Sequence, residues 1–128
     1  MVELLVYAHL NREIEKRFHD MIIAQQFRAN VEVIDAFGVL RERLRRPSEK
    51  RKMALLFVDS EQELLQILSL QDLLSPVYSI LVLNNHNPRI TTLAHQLHPR
   101  FIGYTDWDTN VLLSIIMRMI QRLGKEEV

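Results

Sequence analysis

Met53-Ala54-Leu55-Leu56-Phe57-Val58-Asp59 is the stretch on which the fold turns. Six apolar residues run without interruption and end on a carboxylate. A short continuous apolar run with polar flanks fits a strand buried on both faces, as in a parallel sheet. An acid at the carboxyl end of a central strand sits where open α/β sheets do their chemistry. One acid alone neither holds a divalent metal nor runs acid/base catalysis. What stands near Asp59 therefore decides what it can do.

Working outward, strand and helix signals alternate with a period of about 20 to 25 residues, as βα units do. Strands are expected over residues 3–8, 30–36, 53–58, 78–83 and 100–104. A first helix over 11–26 opens on Asn11, a good cap, with Ile14, Phe18, Met21 and Ile22 at helical spacing. A second, over 38–45, must end before Pro47. A third follows Ser60 to about residue 70, with Ser60 and Glu63 spaced as a capping box, and a further piece covers 71–74. A fourth starts after Asn87-Pro88, with proline at the first helical position, and ends at His98-Pro99. The last helix spans 109–123 and is stopped by Gly124.

The runs at 3–8, 53–58 and 78–83 are almost wholly apolar. In the second strand Val31 and Val33 alternate with Glu32, and the fifth contains Arg100 and Gly103. Three central and two edge strands fit a five-stranded parallel sheet of order 2-1-3-4-5 in a three-layer α/β/α sandwich, the flavodoxin-like arrangement. Right-handed crossovers put the first and last helices on one face and the others on the opposite face. Residues 1–124 are read as one domain and 125–128 as a frayed tail.

Composition closes off several functions. Apolar residues make up 48% and charged residues 25% of 128, ordinary for a globular domain. Sixteen Lys and Arg balance sixteen Asp and Glu, so no global field draws the chain to nucleic acid or an anionic membrane. With no cysteine, disulfides, thiolate metal sites and a cysteine nucleophile are out. No apolar run approaches the roughly 20 residues that span a bilayer. No secretory signal is evident, so a cytoplasmic location is expected. Only three glycines occur, and none follows the first strand. Neither a P-loop, a dinucleotide fingerprint nor a flavin phosphate loop is present, and no cofactor is expected. No nucleophile elbow is found either, so the chain does not read as an enzyme.

Element order, element length and the place of Asp59 together resemble the receiver domains of response regulators, across essentially the whole chain. The resemblance implies an acidic pair after strand one for Mg²⁺, an acceptor Asp after strand three, a hydroxyl after strand four and a Lys-Pro after strand five. Here strand one ends Ala8-His9, strand four ends Leu83-Asn84-Asn85, and strand five ends Tyr104-Thr105-Asp106. Only Asp59 fills its position. Mg²⁺ usually needs one or two carboxylates besides the phosphate, and phosphoryl transfer rests on positioning and charge neutralisation. The resemblance is thus to a degenerate receiver, or pseudo-receiver. It implies a non-catalytic regulatory, protein-interaction domain in signal transduction, with Asp59 a marker of the fold or a helix cap. Two alternatives stand beside it. One is an atypical regulator phosphorylated on Asp59. The other is a small-ligand or metal site on the carboxyl rim, drawing on His9, Asp59, Asn84, His86, Thr105 and Asp106. No spacing motif supports that rim, and Asn and Asp at such places commonly cap helices and turn the chain.

Two surface features remain. Residues 41–52 are locally basic, with Arg41, Arg43, Arg45, Arg46, Lys50, Arg51 and Lys52. They lack aromatic interleaving and read as a solvated loop. The last helix carries Val111, Leu112, Ile115, Ile116, Met119, Ile120 and Leu123, widened by Leu113 and Met117. So broad an apolar surface needs covering. A homodimer through this helix is expected, with Trp107, Leu113, Met117 and Ile120 as interface candidates. A further protein partner is expected, without identity.

Overall fold

The structure is a computed structural model that describes residues 2–8, 16–17, 20, 29–48 and 50–126. In chain order its elements are β1 (Val2–Ala8), β2 (Ala29–Ile34), α1 (Phe37–Arg45), β3 (Arg51–Val58) and α2 (Glu61–Leu68). These are followed by α3 (Gln71–Leu74), β4 (Tyr78–Leu83), α4 (Pro88–His95), β5 (Phe101–Tyr104) and α5 (Thr109–Glu126). The five strands form one sheet of order β2-β1-β3-β4-β5, parallel throughout. Fold class, strand order and the receiver-like layout agree with the reading of the sequence. The helix expected over 11–26 falls mainly outside the described residues, although residues 16, 17 and 20 are helical.

β3 shows why the sheet forms. Successive side chains point to opposite faces. Ala54, Leu56 and Val58 enter one core with β1, β4, α1, α2 and α4. Met53, Leu55 and Phe57 enter a second core with Leu112, Leu113, Ile116 and Ile120 of α5. All six are at most 2% exposed. A strand sandwiched in this way has no polar face to spare, hence its unbroken apolar run. Each fully buried Leu or Phe contributes about 1.5–3 kcal/mol of transfer energy.

The edges behave differently. On β2, Val33 is 41% exposed. Glu32 there receives the Arg43 guanidinium of α1 at 2.7 Å. Lys52 donates to the carbonyls of Arg43, at 3.0 Å, and Arg46, so it satisfies the end of α1. Two of the seven basic residues of the segment, Arg43 and Lys52, are thereby engaged inside the chain.

Several boundaries differ from expectation. β3 begins at Arg51 rather than Met53 because its ladder with β1 starts at the Val2–Arg51 pair. β2 ends at Ile34 rather than Ala36, and α1 begins at Phe37. Gly124 does not stop the last helix, which continues to Glu126. A glycine ends a helix by taking a left-handed conformation, and no described glycine has positive φ.

Candidate functional site

Asp59 leaves the carboxyl end of β3, half-buried, immediately before the residue that starts α2. That residue, Ser60, is the helix cap: it is extended, and its Oγ accepts the backbone N–H of Glu63 at 3.1 Å. Capping therefore belongs to Ser60 and not to Asp59. The Asp59 carboxylate accepts instead from the side-chain amide of Asn84 at 3.2 Å. Asn84 is held in place because its own N–H donates to Val58 O at 3.3 Å, one step past the β3–β4 ladder. The first residue past β4 thus turns its amide onto the acid.

On the other flank β1 ends in Tyr7 and Ala8, which are 2% and 0% exposed. Ala8 pairs with Phe57 and belongs to the apolar core. Burial pushes the Tyr7 phenol above its ordinary value, and the nearby negative charges of Glu63 and Asp35 push it the same way. Glu63 is itself only 8% exposed. His9 lies outside the described residues.

The remaining rim residues gather around β4 and β5. His86 Nε2 lies 2.8 Å from Asp106 Oδ2. Its ring stacks on Tyr104 with centroids 4.0 Å apart and planes 14° from parallel. The Tyr104 hydroxyl meets Thr91 Oγ1 of α4 at 3.2 Å, and its ring lies 5.8 Å from that of Trp107. The Thr105 N–H donates to Leu83 O at 2.9 Å, so that residue prolongs the sheet. Asn85 and Asn87 turn the chain into α4 through side-chain oxygens that accept the N–H groups of Asn87 and Arg89.

Among the described residues the rim shows two pairs set apart from one another, Asp59 with Asn84 and His86 with Asp106. Among the described residues no group of three or more His, Asp or Glu is placed to hold a metal ion. Reading the sequence missed Tyr104, the centre of the second cluster. Its position at the end of the edge strand, beside the loop that carries His86, was the available signal.

The interface candidates need correction. Leu113, Met117 and Ile120 are 1%, 6% and 2% exposed and pack against the sheet in the chain's own core. The apolar stripe of α5 is broad because the helix is deeply seated. Trp107 is half-buried between Phe101 and Tyr104. The large apolar side chain that α5 does expose is Val111, at 55%.

No protein-family model matches the chain, and no curated protein matches it by sequence. Solved structures do. A CheY-like response regulator receiver domain protein from Methanospirillum hungatei JF-1 superposes with a TM-score of 0.69 over 98% of both chains, at 12% identity. This is the receiver-domain fold. A pilus assembly-related protein from Burkholderia pseudomallei K96243 is similar, with a TM-score of 0.67 over 94% of this chain and 90% of that one, at 14% identity. A pilus assembly protein from Burkholderia thailandensis E264 gives 0.62 over 92% and 97%, at 15% identity. In this layout Asp59 directly follows β3. No described helix is long and apolar enough to cross a membrane.

Proposed function

We propose that this chain is a pseudo-receiver: a non-catalytic, cytoplasmic regulatory domain that works by docking to other proteins. The Asn84 amide on the Asp59 carboxylate carries the reading. It gives the acid a neutral donor from the end of β4, and phosphoryl transfer needs a metal and a cation to offset incoming charge. Ala8 and Tyr104-Thr105 stand where the resemblance requires an acid and a lysine. Regulatory docking also suits a scaffold shared by structures named for response regulators and for pilus assembly.

The test is incubation with Mg²⁺ and a small phosphodonor, followed by intact-mass measurement of the wild type and Asp59→Asn. The expected outcome is no phosphoryl adduct on either. An adduct on the wild type that Asp59→Asn abolishes would overturn the proposal in favour of a working phosphoacceptor.

Self-association through the α5 side is part of the proposal. Its support is the exposed Val111 beside half-buried Trp107. Closed two-fold dimers are the commonest oligomers. Light scattering should give a dimer mass that Val111→Lys shifts toward the monomer. A wild type that stays monomeric at high concentration sinks this element alone.

A further inference from the structure

A groove of about 210 Å³ opens at the end of the sheet opposite Asp59, between the starts of β3 and β4 and the last turns of α5. It is lined by Met53, Tyr78, Arg100, Met119, Arg122 and Leu123. The floor is apolar, with Met53 and Leu123 1% and 3% exposed. The rim is cationic. The Arg100 guanidinium lies over the Tyr78 ring at 4.1 Å, and that of Arg51 approaches the same ring at 5.8 Å. Arg51 also donates to the Tyr78 hydroxyl at 3.3 Å.

Among the described residues no carboxylate lines the groove. Among the described residues neither Arg100 nor Arg122 has an acid within ion-pair distance. A basic residue toward the carboxyl end of a helix complements its dipole, and that favours a cation at Arg122. It does not account for Arg100, which comes from another element, or for the concavity between them. The Tyr78 ring beneath the Arg100 guanidinium, 4.1 Å from its centre, holds the cation at the groove, and a guanidinium is the group that grips phosphate or carboxylate.

We propose that this groove binds a small organic anion whose phosphate or carboxylate head rests on Arg100 and Arg122. Its flat apolar body lies against Met53, Met119 and Leu123. A planar ring system with an anionic head matches this apolar floor and cationic rim. Both head groups share one recognition chemistry, a planar or tetrahedral oxyanion facing guanidinium. The site lies at the far end of the strands from Asp59, so its success or failure is independent of the phosphodonor experiment.

The probes are adenosine monophosphate and benzoate, with adenosine and inorganic phosphate as headless and bodiless controls. Methionine methyl resonances report binding, because Met53 and Met119 line the groove while Met117 sits in the core. The Met53 and Met119 signals should move with at least one probe, and each control should bind about tenfold or more weakly. Arg100→Met and Arg122→Met should each weaken binding by roughly tenfold, the scale of one charge-assisted contact. An unmoved Met117 signal shows that the variants are folded. Response to adenosine monophosphate alone assigns a phosphate ester, and response to benzoate alone assigns a carboxylate. Silence from both probes, binding of adenosine as tight as its monophosphate, or binding unchanged in both variants overturns the proposal.

Discussion

A methyl group at Gly103 would lie 2.6 Å from Leu112 Cδ1 and 3.2 Å from the Phe101 ring. The residue is a glycine because α5 comes down onto β5 there, since no described glycine uses positive φ. Leu112 is only 1% exposed and has little room to yield. Gly103→Ala should therefore destabilise the fold by about 1–3 kcal/mol, as overpacking does. A lower urea midpoint with unchanged slope would confirm it; an unshifted midpoint would contradict the close approach. From the sequence, Gly103 marks only a weak strand. The contact that explains it joins residues whose meeting depends on how a helix docks. The same holds for Asp59 with Asn84 and for His86 with Asp106. Each residue could be named as a rim candidate beforehand, but pairing them needed the register of neighbouring strands.

Among the elements, features whose cause lies within one turn were readable. Ser60 is followed by Glu63, and the cap forms on that N–H. Asn87 precedes Pro88, and its side chain caps α4. The apolar runs of β1, β3 and β4 were equally readable, because burial on both faces leaves no polar position. Features settled by packing were not. The stripe on α5 says how many of its side chains avoid water, not whether the sheet or a second chain covers them. Leu113, Met117 and Ile120 turned out to be covered by the sheet. Gly124 could have been a helix stop or an ordinary helical residue, and the local sequence does not distinguish these. The basic stretch was legible as charge, while its engagement in capping α1 and pairing with Glu32 required the fold.

At the scale of the whole molecule, one sheet divides two apolar cores, and both must hold for either to stay dry. Tyr7 ties this to pH. Its phenol is raised above 10.0 by burial and by the charges of Glu63 and Asp35. A raised value means the folded state keeps the proton longer than the unfolded chain. The stabilisation is complete below pH 10.0 and is lost as pH climbs through the folded value. Melting temperatures measured on both sides of that pH should fall more steeply in the wild type than in Tyr7→Phe. Parallel curves would refute the burial effect. Trp107 gives the molecule another kind of handle. It is the only indole in the chain, and it stands 5.9 Å from Phe101 and 5.8 Å from Tyr104. Tyr104 in turn carries His86 on its face. Excitation at the red edge, where tyrosine does not absorb, makes this indole an optical reporter confined to one side of the sheet. A partner settling there would change its colour and brightness without any label, while one docking beside α1 would leave it dark to the event.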